Sequence, residues 1–163
     1  MSRQFWAFLV VGLLVMAVAV AGMLYWTRGE HIELKGSILK VRLQEMDERA
    51  AVAVMDFRFV NPSDYVFVVR TVTVTLEDAK GNLIEGRVSS EPDAQRVFQF
   101  YPVLGQKFND TFRARDKVAP RQSMDRMVAV RFEIPEDAIA ARKNLRIRIE
   151  DVDGAVSEIA EKP

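Results

Sequence analysis

Two hydrophobic patterns divide this chain. Residues 5–26 read FWAFLVVGLLVMAVAVAGMLYW, a run of 22 positions without a charge. No face of that run is polar, so it does not describe an amphipathic helix packed on a globular core. As a helix it is roughly 33 Å long, enough to cross the hydrocarbon core of a bilayer. Phe5 and Trp6 open it and Tyr25 and Trp26 close it, where aromatic side chains sit at membrane interfaces. The pattern predicts a single N-terminal transmembrane helix. The alternative is a cleaved signal peptide, with its cleavage site at Ala17-Val18-Ala19 or Ala19-Val20-Ala21, but the apolar run continues past both.

Beyond the run the period falls to two. Leu39, Val41 and Leu43 alternate with Lys40, Arg42 and Gln44, and Ala51, Ala53, Met55, Phe57 and Phe59 with Val52, Val54, Asp56, Arg58 and Val60. Asn61-Pro62-Ser63-Asp64 then interrupts. Asn61 accepts turn dihedrals, Pro62 fixes φ and withholds an N–H, and Asp64 suits a bond back to the backbone, so ladder pairing stops there. Residues 65–76 resume the pattern, with Val72, Val74 and Leu76 opposite Thr71, Thr73 and Thr75, and Lys80-Gly81-Asn82 turns into residues 83–87. Val128, Val130, Phe132 and Ile134, and later Leu145, Ile147 and Ile149, mark two more strands.

Roughly seven short strands with polar outer faces predict an antiparallel β-sandwich. Its expected core is Phe57, Phe59, Val72, Val74, Val130, Phe132, Ile147 and Ile149. Two short helices interrupt it. Ser90-Glu91-Pro92-Asp93 reads as a capped start running to about Tyr101, and Pro135-Glu136-Asp137 opens another through Lys143. The organisation is a head and anchor at residues 1–29 and a β domain at residues 30–163.

Charge and chemistry narrow the function classes. Lys plus Arg and Asp plus Glu each number 23, well mixed, which gives no support to a nucleic-acid partner. The absence of cysteine removes disulfides, thiolate catalysis and Cys-based metal sites. His31, the only histidine, has no second histidine for a metal site and reads as an interfacial residue. Asp151-Val152-Asp153-Gly154 starts like a calcium loop but lacks the later ligands, so it reads as a turn. Glycine-rich phosphate loops are missing, and no carboxylate pair stands out. No catalytic, cofactor or metal residue is assigned, and no small-molecule substrate is expected.

One stretch carries a family resemblance. Phe57-Arg58-Phe59-Val60-Asn61-Pro62, followed by Tyr65 and by Val69 with alternating Val and Thr, resembles the signature of the late embryogenesis abundant type 2 domain, also called the water stress and hypersensitive response (WHy) domain. Val118-Ala119-Pro120-Arg121-Gln122-Ser123, before the strand at residues 128–134, is similar to that family's Pro-containing loop. The resemblance covers about residues 34–150. It implies an immunoglobulin-like or fibronectin-III-like sandwich, often membrane-anchored in bacteria, with protective or interaction roles and no established catalysis. Residues 91–112 depart from the family pattern and read as an insertion.

That insertion is the candidate site. Phe98, Phe100, Tyr101, Val103 and Leu104 concentrate large apolar groups in a short helix and loop. Either the helix caps the open end of the sandwich and buries them, or some stay exposed and bind a protein partner. Arg113, Arg115 and Lys117 read as a basic rim beside it or as the solvated face of a strand. The expected function is a noncatalytic membrane-tethered interaction module. The alternative is an accessory single-span subunit of a larger membrane complex, with Ala17, Ala19, Ala21 and Gly22 suiting helix packing. A carboxylate-based enzyme is a distant third. Arg28, Lys35, Lys40 and Arg42 outnumber the charge of the head and point the domain to the cytoplasm, whereas a signal-anchor start with a short head leaves a long folded domain outside. The second consideration decides for a bacterial inner-membrane protein with an extracytoplasmic domain.

Overall fold

The computed structural model describes residues 3–27 and 33–161; within the N-terminal helix, side chains are described at Trp6 and over 10–23. Arg28, His31 and the join between helix and β domain lie outside the described residues. The chain divides into two units, Met1–His31 and Ile32–Pro163.

In the first unit the uncharged run forms one α-helix, α1 (Arg3–Thr27). Its described side chains are exposed, Leu14 and Val18 among them. Among the described residues no helix is long and apolar enough to cross a membrane.

The second unit is mainly β and antiparallel. Its strands are β1 (Lys35–Asp47), β2 (Ala50–Val60), β3 (Phe67–Glu77), β4 (Leu83–Val88), β5 (Lys117–Val118), β6 (Ser123–Phe132), β7 (Asn144–Asp151) and β8 (Val156–Ala160). They form one curled sheet in the order β1-β2-β6-β4-β3-β7-β8, with β5 added on β3. The curl is made by β4, which hydrogen-bonds to both limbs. Its first four residues pair with Val74 to Glu77 of β3, and Arg87 and Val88 pair with Arg131 and Val130 of β6. Gly86 stands at the handover. A Cβ there would meet Val130 Cγ1 and lie 2.6 Å from Phe132 Cε1, so only glycine lets β4 pass this close to β6.

Between the limbs lies the core. Met55, Phe57 and Phe59 of β2 and Val128, Val130 and Phe132 of β6 meet Val74 and Leu76 of β3, Leu145, Ile147 and Ile149 of β7, and Ile159 of β8. Seven of the eight residues predicted for the core are buried, and Val72 packs half-buried against them.

The Asn-Pro interruption is a crossover between limbs. β2 pairs with β1 and β6, whereas β3 pairs with β4, β5 and β7, so the intervening residues carry the chain from one limb to the other. Asn61 is fully buried and ties this corner together. Its Nδ2 donates to the carbonyls of Tyr65 at 2.7 Å and Val118 at 3.2 Å, and its Oδ1 accepts from Ser63 N and Oγ. Asp64, expected to bond back to the backbone, instead forms a two-armed pair with Arg121 at 2.9 and 3.1 Å.

In β1 the simple alternation fails. The register against β2 shifts between Ile38 and Lys40, which leaves Leu39 exposed and turns Ile38, Val41 and Leu43 to the core. Arg42, expected on a solvated face, is buried. The helices fall where their capping signals stand. α2 (Glu91–Phe100) starts at Ser90, whose side chain accepts from Asp93 N, and α3 (Glu136–Ala140) starts at Pro135 and ends short of the expected Lys143. Asp151 to Gly154 forms the β7–β8 turn, with Gly154 at φ +89°.

Candidate functional site

Residues 89–112 leave the sheet after β4 and return before β5 as a flap of α2, a 310 turn (Pro102–Leu104) and a loop. Both ends are stitched to β6: Ser89 N donates to Ala129 O at 2.8 Å, and Phe112 N to Met127 O at 2.8 Å. Phe112 itself enters the core, with ring centroids 5.0 Å from Phe59 and 5.8 Å from Phe57.

The flap covers the outer face of β2 and β6, not the open end of the curled sheet as the capping expectation had it. Val52 and Val54 of β2 and Met127 and Ala129 of β6 form a second buried cluster with Ala94 and Leu104 of the flap. Met46, Val97, Phe98 and Tyr101 pack around it. β2 is consequently buried on both faces from Ala50 to Phe57. The sequence held a signal for this cover: an outer strand face carrying Val52, Val54 and Ala129 is too apolar to face water alone.

Polar contacts fix the flap in place. Arg42 donates through Nη1 to the carbonyls of Leu104 (2.7 Å) and Gln106 (2.9 Å), and through Nη2 to Asp56 Oδ2 (2.7 Å). Asp56 Oδ1 accepts from Asn109 at 2.9 Å. The Arg42 guanidinium also sits 5.1 Å from the Phe98 ring centroid and 5.9 Å from that of Phe108. A second clamp joins the flap to itself. Glu91 accepts from Lys107 Nζ at 2.7 Å and from Thr111 N at 3.1 Å. Burial pushes the Glu91 carboxyl up, but the hydrogen bonds from Lys107 and Thr111 outweigh it and hold the group down at about 2.

The five residues predicted for the site therefore separate. Leu104 is buried at 3% exposure, Phe98 and Tyr101 are half-buried, and Phe100 and Val103 stand out at 79% each. Phe108, which the sequence reading passed over, joins the exposed set at 69%. Arg113 and Arg115 lie in an exposed turn before β5, with Arg113 paired to Asp116 and Arg115 at φ +72°, and Lys117 is exposed on β5.

A polar hollow of about 290 Å³ is lined by Glu91, Asp110, Thr111, Arg113, Asp116 and Arg126. Glu91 is engaged by Lys107 and Asp116 by Arg113. Among the described residues no three carboxylate or histidine groups gather as a metal site. Comparison with protein families, curated proteins and solved structures finds no match, so the flap is read on its own geometry.

Proposed function

We propose that this chain is a noncatalytic, membrane-tethered interaction module whose flap engages a protein partner. The observation that carries the reading is the exposure of Phe100, Val103 and Phe108 on a segment otherwise held down by a buried ion pair. Three large apolar groups presented by one fixed flap are what a partner's pocket recognises. A flap that served only as a lid would turn such groups inward, as Leu104 and Ala94 are turned.

The tether is α1. Its support is the 22-residue uncharged run, with an aromatic pair at each end, that falls within one helix. The proposed address is a bacterial inner membrane, single-pass, with the β domain extracytoplasmic. The antiparallel curled sheet and the Asn61 corner suit the immunoglobulin-like sandwich and the WHy-type resemblance, which we retain as part of the proposal.

The test is a triple substitution, Phe100→Ser, Val103→Ser and Phe108→Ser, in the full chain purified from membranes. The expected result is loss of the co-purifying partner from a chain that still unfolds cooperatively. A folded triple variant that keeps its partner contradicts the reading.

A further inference from the structure

Beside the start of α2, a pocket of about 450 Å³ opens on the outer face of the sheet. Strand register sets its floor. Val52 of β2 pairs with Arg131 of β6, and Arg131 pairs in turn with Arg87 of β4. The three stand in one row across the strands, and Ser89 follows Arg87 on the same face, two residues on. Met46 of β1 extends the row beyond Val52, and Ser90, Asp93 and Val97 form the wall on the α2 side. The exposed flap residues Phe100, Val103 and Phe108 take no part in the lining.

The two ends of the pocket differ in chemistry. Val52 is buried and Met46 and Val97 are half-buried, so one end is apolar. The other end holds two arginines at directly opposed positions, and like charges so placed destabilise a sheet unless a counter-charge joins them. Arg131 has its counter-charges: Nε stands 3.0 Å from Glu133 Oε1, and Nη2 3.8 Å from Asp47 Oδ2. Arg87 has none. Among the described residues it makes neither an ion pair nor a side-chain hydrogen bond, and the Ser89 hydroxyl is equally unengaged. Glu85 shares the outer face of β4 with Arg87 but does not pair with it. The Asp93 carboxylate is taken up by Ser90 Oγ at 2.6 Å and by Arg96 at 3.3 Å. The helix end itself adds little, because Pro92 has no N–H and the N–H groups of Asp93 and Ala94 donate to Ser90.

We propose that this pocket binds a small amphiphilic monocarboxylate. Its carboxylate is seated at Arg87 and Ser89, beside Arg131, and its apolar body lies on Val52, Met46 and Val97. The volume falls in the range of small-molecule sites, and an apolar lining with a few convergent polar groups is their usual make-up. A guanidinium fork matches a carboxylate in two parallel hydrogen bonds. Charge decides for a monoanion. Arg87 is the one lining charge left unanswered, and a dianion would also face Glu85, Asp93 and Glu133 around the rim. The parts come from five separate elements, which is why no motif announced the site. Because α2 forms one wall, a bound carboxylate ties the flap to β4 and β6, as Arg42 ties it to β1 and β2.

The test is calorimetric titration of the full chain, kept soluble in an uncharged amphipathic polymer, with the heat of polymer alone subtracted. The probes are octanoate, octanol, acetate and octyl phosphate. Octanoate should bind most tightly, and Arg87→Gln should weaken it about tenfold or more. The same variant without ligand should melt no lower than the native chain, since it relieves two opposed like charges. Octanol binding as tightly as octanoate, or unchanged octanoate binding by Arg87→Gln, overturns the carboxylate contact. Acetate binding as tightly overturns the apolar end, and tighter octyl phosphate overturns the monoanion. No binding of any probe overturns the site. Ser89→Ala is a second variant that removes only a hydroxyl: it should weaken octanoate several-fold, and unchanged affinity overturns the place given to Ser89.

Discussion

Arg42 and Asp56 meet diagonally across β1 and β2 in a 2.7 Å ion pair beneath the flap, each side chain only 8% exposed. The pair joins the sheet to the flap, because the same guanidinium holds the carbonyls of Leu104 and Gln106 and the same carboxylate holds Asn109. Removing one partner strands the other charge out of water.

Arg42→Ala is therefore expected to cost about 3–5 kcal/mol and to open the flap to proteolysis between α2 and Phe112. The comparison is Arg58→Ala. Arg58 pairs with Asp125 with side chains 60% and 38% exposed, a setting in which an ion pair contributes at most about 1 kcal/mol. Chemical denaturation of the two variants checks this, and equal losses would show that the flap does not depend on the buried pair.

The Glu91 clamp gives the flap an acid sensitivity. The carboxyl is held at about 2 in the folded chain against an ordinary 4.5, so folding favours its charged form. The stabilisation is complete above the ordinary value and is lost as pH falls from there through about 2. Its size is about 1–2 kcal/mol after allowance for solvent screening. Urea midpoints measured down this range should fall more steeply for the native chain than for Glu91→Gln, and parallel curves would remove the clamp from the account.

Core truncations test the strand phase. Phe59 stacks on Phe57 at 5.5 Å and touches Phe112, and Phe132 lies against Gly86 at the strand handover. Phe59→Ala or Phe132→Ala should cost about 3–5 kcal/mol. Gly86→Ala, which adds one methyl where Val130 and Phe132 leave no space, should cost about 1–3 kcal/mol by overpacking. Thermal unfolding measures all three, and an unchanged midpoint for Gly86→Ala would mean that β4 does not pass between the limbs as described.

These residues also show which features were legible in the sequence. The period-two pattern placed β2, β3, β6 and β7, and seven of the eight named core residues, because alternation reports a buried face directly. Ser90 marks the start of α2 by its capping side chain, and Pro135 that of α3 by its fixed φ. Arg42 was misplaced because alternation says nothing about what covers the second face of a sheet. That cover comes from residues 62 and 64 positions beyond Arg42, and only the apolar Val52, Val54 and Ala129 hinted at it. The bulge at Leu39 was likewise invisible, since a register shift leaves composition unchanged. Phe108 stayed hidden among polar neighbours, and Phe98 was separated from Phe100 only by the direction of one helix turn.

The most direct measurement of the central claim is site-specific photo-crosslinking in intact membranes. A photoreactive phenylalanine analogue is placed at Phe100, Val103 or Phe108, and for comparison at Leu83, an exposed apolar position outside the flap. The account predicts one discrete protein adduct shared by the three flap positions and absent at 83. The same adduct should disappear when Arg42→Ala releases the flap. No adduct from any flap position, or the same adducts from position 83, would contradict the claim that the flap is the partner-binding surface.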